Sequence, residues 1–320
     1  METEVMNRNY RIVLLDALTL GEVSTIDKLS QWGSLEVYAK TAVHEVAERI
    51  QEADVVITNK VVLTANDLAQ AKQLKLICVA ATGMNNIDLK AAAEKGIPVK
   101  NVKGYSTFGV AQQTFATILS LIHRLSFLDD YVKKGSYSKG ELFTYIQEEI
   151  YELKDKTIGI VGLGDIGKQV AVIAKAFGAE VIYFSTSGQN TNAEYTRVSW
   201  EELLSKSDII TIHAPLNEQT KGVINYDALS KMKNTAIIHN AGRGGIIVEE
   251  DLCRALNENK ISSAALDVYE QEPLPLNSCL LNASIQHKLI LTPHTAWAAK
   301  ESRERLVEGI LINIEAVLNK

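Results

Sequence analysis

Three side chains of complementary chemistry, Arg243, Glu272 and His294, each follow a short apolar run that is typical of a β-strand. Arginine presents a planar fork of donors that grips a carboxylate or polarises a carbonyl. Histidine exchanges a proton near neutral pH, and a carboxylate beside it orients the ring. Together with a hydride carrier, this set would interconvert a 2-hydroxy acid and a 2-keto acid.

A glycine-rich segment, Gly162-Leu-Gly164-Asp-Ile-Gly167, predicts the hydride carrier. It follows the apolar run Thr157–Val161 and opens a helical pattern over Asp165–Phe177, the strand–turn–helix context that gives the motif its meaning. The first glycine allows a tight turn, the second lets backbone approach a pyrophosphate, and the third lets the helix pack on the strand. The helix N-terminus offers free N–H groups to the anion. We therefore predict dinucleotide binding.

Short β-branched runs alternate with helical patterns along the chain, which is typical of parallel α/β sheets. The first series of predicted strands is Arg11–Leu15, Asp54–Thr58, Leu76–Ala80 and Pro98–Val102. The second series is Thr157–Val161, Glu180–Phe184, Asp208–His213, Thr235–His239, Ser262–Asp267 and Leu289–Leu291. One long helical pattern, Val110–Lys133, connects the two series.

The predicted fold class is α/β, with two Rossmann-like parallel-sheet domains and a cleft between them. Residues 105–292 form the predicted dinucleotide-binding Rossmann domain, and residues 1–104 with 293–320 form a discontinuous substrate-binding lid domain. Ligands of such sheets bind beyond the carboxyl ends of the strands. Because Arg243, Glu272 and His294 all follow strands of the second series, we expect them to converge there.

Composition excludes several classes of protein. With 46% hydrophobic residues, 22% charged residues and a net charge of −6, the chain has no basic footprint for nucleic acid. No apolar run approaches the about 18 residues that a membrane helix needs. The start, Met1–Arg8, is polar and acidic, unlike a secretory signal. We expect a cytoplasmic protein without a membrane or nucleic-acid partner.

The cysteines support the same location. Cys78, Cys253 and Cys279 are odd in number, widely spaced and without a CxxC pair. This pattern argues against a disulfide framework and against a metal site, and it favours a reducing compartment. We expect all three to be buried as small hydrophobic residues, and we predict no metal.

Six segments, in order, resemble those of D-isomer-specific 2-hydroxyacid dehydrogenases over essentially the full chain. They are Ala81–Asp88, Gly162–Gly167, His213–Leu216, Asn240–Gly244, Leu266–Pro273 and Thr292–His294. Within that family, four short segments are similar to glycerate dehydrogenases, also called hydroxypyruvate reductases: Thr58–Val61, Gly104–Thr107, Val110–Gln112 and His294–Trp297.

The resemblance implies roles for individual residues. His294 would donate a proton to the ketone oxygen, with Glu272 as its partner and Arg243 as the substrate clamp. Backbone N–H groups around Thr82 and Gly83 would hold the substrate carboxylate, and Lys60 is a further candidate ligand. The family also implies a small 2-keto or 2-hydroxy acid as substrate and a homodimer formed through the nucleotide domain.

The resemblance also implies a cofactor site. Asp165 and Ile166 would contact the pyrophosphate through their backbone, and Asp267 would accept a hydrogen bond from the carboxamide. The rest of the dinucleotide would be lined by Val110, Ala214, Pro215, Thr220, Ala241, Gly242, His294 and Ala296.

The sequence is less specific about which nicotinamide cofactor binds, NAD(H) or NADP(H), than about the presence of a dinucleotide site. In NAD-preferring domains an acid about 20 residues past the glycines binds the ribose 2′-hydroxyl. Here Ser185 stands at that place, Glu180 lies at the wrong end of its strand, and no arginine immediately follows. We expect NAD(H) to be favoured with weaker discrimination against NADP(H) than an aspartate would give, and Ser185 to contact either cofactor.

Several functions remain open at this point. The favoured reaction converts hydroxypyruvate or glyoxylate to D-glycerate or glycolate. The alternatives are a D-lactate-type dehydrogenase with a different 2-keto acid, and a nucleotide-sensing corepressor on the same scaffold. Formate dehydrogenases share the fold but carry glutamine where Glu272 stands, which argues against that reaction. The preferred acid and the physiological direction are not fixed by the sequence.

Overall fold

The computed structural model describes residues 9–319. Met1–Arg8, whose polar composition argued against a secretory signal, lie outside the described residues. The chain divides into two compact units: one holds the described residues up to Ser106 and those from Ala298 onward, and the other spans Thr107–Trp297. The predicted boundaries were 104/105 and 292/293, so the structure groups His294 with the second unit rather than with the lid domain.

The first unit is built on a five-stranded parallel sheet of order β2-β1-β3-β4-β5. Its strands are β1 (Tyr10–Leu14), β2 (Gly33–Val37), β3 (Val55–Thr58), β4 (Leu76–Val79) and β5 (Val99–Asn101). The helices α1 (Val46–Ile50), α2 (Ala65–Gln70) and α3 (Leu89–Glu94) connect them. Every residue of β3 and β4 is buried, as expected of a parallel sheet covered on both faces.

The second unit is a seven-stranded parallel sheet of order β12-β11-β10-β9-β6-β7-β8. The strands are β6 (Thr157–Val161), β7 (Glu180–Phe184), β8 (Thr196–Arg197), β9 (Ile209–Ile212), β10 (Ile237–Asn240), β11 (Ser263–Leu266) and β12 (Leu289–Leu291). The helices are α4 (Thr107–Ile122), α5 (Leu125–Lys133), α6 (Asp165–Ala176), α7 (Trp200–Lys206), α8 (Tyr226–Lys231) and α9 (Glu249–Asn257). The last helix, α10 (Lys300–Leu318), belongs to the first unit and packs beside β4.

Both units are parallel-sheet α/β structures, as the sequence predicts. Helix starts follow local chemistry: the Thr64 hydroxyl and the Asp67 carboxylate form a capping box at the start of α2, and Ser199 with Glu202 does the same for α7. In the second unit the terminal residues of β10, β11 and β12 are in register, since Asn240 pairs with Leu266 and Leu266 with Leu291. These three strands therefore end at one edge.

The predicted helix over Val110–Lys133 is wrong in one respect, because the structure breaks it into α4 and α5. Arg124 lies in the left-handed region with a φ of 53°. A residue in that conformation cannot continue a right-handed helix. Two edge strands, β2 and β8, were also not predicted.

The cysteine expectation is wrong for two of the three residues. Cys253 of α9 and Cys279 are joined by a disulfide, with their Cα atoms 6.2 Å apart and 26 residues between them in sequence. The pairing arises because the turn Cys279–Leu281 packs on α9. Cys78 is free and fully buried, as expected, and burial raises the pKa of its thiol.

No helix between residues 9 and 319 is both long and apolar enough to span a membrane. Within the same range, no group of three or more histidine, cysteine, aspartate or glutamate side chains is arranged to hold a metal ion.

Candidate active site

The carboxyl edge of the second sheet brings the three chemistry-bearing residues onto neighbouring loops. Arg243 follows β10, Glu272 follows β11 and His294 follows β12, and these strands are adjacent in the sheet. The three loops that carry these residues therefore lie side by side at the carboxyl ends of the strands, as the sequence analysis expected.

Close backbone packing joins these loops. A Cβ added at Gly244 would overlap the carbonyl of Tyr269, so only glycine lets the Arg243 loop approach the Glu272 loop so closely. The Tyr269 hydroxyl donates to the Thr292 carbonyl at 2.9 Å, which ties in the His294 loop. Burial raises the pKa of Tyr269 to about 12, so the phenol keeps its proton and remains a donor.

His294 and Glu272 are directly paired. The distance between His294 Nδ1 and Glu272 Oε2 is 2.7 Å, and both side chains are about one-third exposed or less, at 26% and 35%. The other carboxylate oxygen, Glu272 Oε1, accepts from the backbone N–H of Tyr269 at 3.1 Å. An ionised carboxylate only accepts hydrogen bonds, so Nδ1 carries the hydrogen and Nε2 is left for proton exchange.

The backbone at His294 is unusual, with a φ of 53°. Asp267, which is 2% exposed, holds the surrounding loop. Its Oδ1 accepts from the Thr292 hydroxyl at 2.6 Å and from Thr295 N at 2.9 Å, and its Oδ2 accepts from Ala296 N at 2.9 Å. Sequence reasoning favoured a cofactor role for Asp267, and it missed the hydrogen bonds by which Asp267 holds the loop around His294.

Arg243 is presented by a loop that Asn240 organises. The buried Asn240 amide accepts from Gly242 N at 2.9 Å and donates to the Arg243 carbonyl at 2.9 Å. The exposed Arg243 guanidinium donates to the Gly242 carbonyl at 2.8 Å, and no carboxylate of residues 9–319 forms an ion pair with it. The fork therefore keeps donors for an anionic ligand.

The glycine motif fits a dinucleotide pyrophosphate. Gly162 has a φ of 90°, and a Cβ there would lie 3.0 Å from Ala214. A Cβ at Gly167 would overlap the Gly162 carbonyl oxygen, whereas a Cβ at Gly164 would meet nothing within 4 Å. The turn is therefore tight at its first and third glycines and open at its second, beside the first N–H groups of α6 at Asp165 and Ile166.

The remaining predicted cofactor residues occupy this edge of the unit or the start of α4. A Cβ at Gly242 would lie 3.0 Å from the Ala214 carbonyl oxygen, so the loops after β9 and β10 touch. The Thr220 hydroxyl donates to Pro215 O at 2.7 Å and closes a turn. Val110 is buried in α4, and Ala296 is buried beside His294. Ala241 is half-buried, and Ser185 is buried at the end of β7.

Two histidines flank the buried Thr211: His239 is buried and His213 is half-buried. The Thr211 hydroxyl lies 2.8 Å from His213 Nε2 and 2.9 Å from His239 Nδ1. Burial lowers the pKa of each histidine to about 3, so both are neutral at physiological pH. Neither can serve as a cationic proton donor.

The predicted substrate ligands Lys60, Thr82 and Gly83 lie in the first unit, on the loops after the adjacent strands β3 and β4. These loops are joined, since Asn86 Nδ2 donates to Val61 O at 3.0 Å. Asp16, which sequence reasoning missed, fixes the first loop by accepting from three consecutive backbone N–H groups, those of Asn59, Lys60 and Val61. The sequence does not reveal these hydrogen bonds, because Asp16 is at least 43 residues away from the residues that donate to it.

Comparison with known proteins gives consistent results. A family model described as "D-isomer specific 2-hydroxyacid dehydrogenase, NAD binding domain" matches residues 115–296. The chain is 37% identical to a hydroxypyruvate reductase of Blautia hydrogenotrophica, over 96% of this chain and 97% of that protein.

Two solved structures resemble the whole chain. An acyclic imino acid reductase in complex with NADPH and D-Arg is 30% identical, with a TM-score of 0.85 and 97% of each chain covered. The D-lactate dehydrogenase of Aquifex aeolicus, complexed with NAD and lactic acid, is 27% identical, with a TM-score of 0.81 over 97% of this chain and 95% of that chain.

Proposed function

Because this chain belongs to the D-isomer-specific 2-hydroxyacid dehydrogenase family, it is a nicotinamide-dependent oxidoreductase of small keto and hydroxy acids, and we propose that it reduces hydroxypyruvate or glyoxylate to D-glycerate or glycolate. The observation that carries the proposal is the 2.7 Å pair between His294 and Glu272 at the edge that also holds the open glycine turn. The hydroxypyruvate reductase relative supports the choice of substrate.

In the proposed reaction the nicotinamide supplies the hydride, and this chain's residues handle the substrate and the proton. His294 Nε2 gives a proton to the ketone oxygen while Nδ1 stays hydrogen-bonded to Glu272, which stabilises the charged ring before transfer. Arg243 binds the substrate through donors that its own loop leaves free. The roles of Lys60, Thr82 and Gly83 toward the substrate carboxylate remain predictions.

For the cofactor we propose that the N–H groups of Asp165 and Ile166 hold the pyrophosphate, and that Ala214, Pro215, Ala241 and Gly242 line the ring end. The carboxylate of Asp267 already accepts three hydrogen bonds from its own chain, two at Oδ1 and one at Oδ2; Oδ2 has a further lone pair for the carboxamide. Ser185 contributes no negative charge, so we expect both NADH and NADPH to be used, with NADH favoured by less than about a thousandfold, or ~4 kcal/mol.

Five apolar side chains of the second unit, Phe108, Phe127, Phe143, Ile146 and Val172, are exposed, and we propose that they form an apolar belt that joins two copies into a homodimer. Phe143 is 90% exposed and Ile146 is 76% exposed. A groove of about 460 Å³ between α4 and α6, lined by Phe108, Leu119 and Ile173 among others, continues the belt. An exposed apolar patch on a folded protein is typical of an interface, and a second copy is the occupant that we propose.

Light scattering after size-exclusion chromatography tests the dimer. Phe143→Asp with Ile146→Asp should give a monomer, whereas Leu276→Asp, which changes an equally exposed leucine outside the belt, should leave the dimer intact. A wild-type monomer would contradict the proposal.

A cytoplasmic location also stays a proposal. The disulfide between Cys253 and Cys279 removes one argument for it, the expectation that all three cysteines are free.

The reaction is tested by following reduced-nicotinamide absorbance with a panel of hydroxypyruvate, glyoxylate and pyruvate, each with NADH and NADPH. Turnover fastest with hydroxypyruvate or glyoxylate supports the proposal. Preference for pyruvate would favour the D-lactate-type alternative. Nucleotide binding without turnover of any 2-keto acid would favour the corepressor-like alternative.

A further inference from the structure

The loop after β7, residues 185–190, folds back onto the glycine motif. Asn190 Nδ2 donates to the Leu163 carbonyl at 2.7 Å, and the Tyr183 hydroxyl donates to the Asn190 carbonyl at 3.2 Å. Ser185 is 4% exposed, and its Oγ accepts from Asn190 N at 3.3 Å. The loop is therefore a wall of the dinucleotide site, and Ser185 serves to shape it.

A cation reaches this loop from the edge strand β8. Arg197 pairs with Tyr183 in the parallel ladder, so its side chain lies beside the carboxyl half of β7. Its Nη1 donates to the Gly188 carbonyl at 2.9 Å, and its Nη2 lies 3.9 Å from the position of a Cβ built on Gly188. The guanidinium is anchored by one bond and otherwise faces solvent at this loop.

The charge at this loop is unopposed. Within residues 9–319, no carboxylate forms an ion pair with Arg197, whereas Arg254, on the same unit, is paired with Glu258 at 2.9 Å. Ser187, also exposed, accepts from Gln189 N at 3.3 Å, and its hydroxyl hydrogen is available to a second acceptor. An exposed arginine, a serine hydroxyl and a glycine turn together form a surface suited to a phosphate.

We propose that Arg197, with Ser187, binds the 2′-phosphate of NADP(H). The proposal rests on the function proposed above. In a dinucleotide sheet the ribose 2′ position lies at the end of the second strand, where an acid selects NAD and an arginine accommodates the 2′-phosphate. Here that strand is β7, the acid is absent, and the arginine comes from the next strand, 12 residues after Ser185 in sequence.

Binding rather than turnover tests the proposal. Dissociation constants of NADPH and NADH are measured by nicotinamide fluorescence, and that of adenosine 2′,5′-bisphosphate by calorimetry, for the wild type, Arg197→Ala, Arg197→Lys and Arg254→Ala. We expect Arg197→Ala to weaken NADPH and the bisphosphate by roughly 10- to 100-fold, the range of a charge-assisted hydrogen bond, and NADH by less than about twofold. Arg197→Lys should retain part of the affinity because the charge is kept.

The control Arg254→Ala removes the same charge from the same unit and should change none of the three constants. Raising the salt concentration should weaken NADPH binding more in the wild type than in Arg197→Ala, because salt screens the positive charge of Arg197 and the variant has no such charge. Unchanged NADPH affinity in Arg197→Ala overturns the proposal, as does wild-type binding of NADH without NADPH. Equal loss of NADH and NADPH assigns Arg197 to loop structure and also overturns it. If the dissociation constants follow the expected pattern but no 2-keto acid is turned over, the role of Arg197 in NADPH binding is supported and the proposed reaction is rejected.

Discussion

Replacing Glu272 by glutamine should separate the effect on catalysis from the effect on stability at the proposed proton-transfer pair, His294 and Glu272. The pair is a single 2.7 Å contact between side chains that are 26% and 35% exposed, so solvent screens it and its contribution to folding is below about 1 kcal/mol. Glu272 uses both carboxylate oxygens as acceptors, one for His294 Nδ1 and one for the backbone N–H of Tyr269. A glutamine side chain has a single acceptor oxygen. The variant therefore loses the negative charge and one hydrogen bond. We expect kcat for hydroxypyruvate reduction to fall about 10²-fold, or ~2.7 kcal/mol.

The assay is steady-state oxidation of NADH, with thermal unfolding measured on the same samples. The melting temperature should fall by no more than about 4 °C, as expected for a loss of at most 1 kcal/mol in a unit of this size. Glu270→Gln is the matched control, because Glu270 is an exposed glutamate two positions away whose contact is the backbone of Glu249. A kcat within about twofold of wild type would refute the partner role, and so would an equal loss in the control.

Four further perturbations test other parts of the molecule. His294→Ala should lower kcat by about 10²-fold or more, and a loss confined to KM would contradict the proton-donor role. Arg243→Ala should weaken keto-acid binding while NADH affinity, followed by fluorescence, stays nearly unchanged; a parallel loss of NADH would reassign the residue. Asp267→Asn should lower the free energy of unfolding in urea by about 3 kcal/mol, because three hydrogen bonds from the His294 loop to this buried side chain lose a charged acceptor, and a change below about 0.5 kcal/mol would refute its positioning role. Burial, with the nearby charge of Glu270, raises the pKa of Glu249. The stability linked to its protonated form is therefore present at acid pH and is lost as the pH rises through the folded-state pKa. Glu249→Gln should stabilise the protein at neutral pH, with a gain that shrinks toward acid pH and is absent in the exposed control Glu218→Gln, which carries no charge that acts on Glu249.

Sequence reasoning located the central strands of both sheets because those strands are continuous apolar runs. Two interior strands, Thr157–Val161 and Glu180–Phe184, match the structure at both ends, and so does the short apolar edge strand Leu289–Leu291. The two missed strands, β2 and β8, lie at sheet edges and are partly or fully exposed. An edge strand is covered by fewer neighbours, so its sequence carries less apolar pattern.

The features that sequence reasoning missed depend on contacts between distant residues. The break at Arg124 has no glycine or proline to mark it, and the bond between Cys253 and Cys279 needs the turn to pack on α9. The search for a phosphate-binding arginine covered only the residues immediately after β7, whereas the ladder brings Arg197 to that loop from the next strand. In each case, local sequence lacks the information because the neighbour is supplied by the fold.

The geometry of the His294 loop connects this packing to the proposed chemistry. A non-glycine residue in the left-handed region costs about 1 kcal/mol or more, so His294 holds its φ of 53° only if its surroundings fix it. Asp267 fixes the residues on both sides of it, Thr292 and Thr295, and Tyr269 binds the Thr292 carbonyl from the neighbouring loop. The same Tyr269 donates its backbone N–H to Glu272. The proposed proton donor, His294, and its partner Glu272 are therefore positioned by one hydrogen-bonded frame, which is the preorganisation that efficient proton transfer requires.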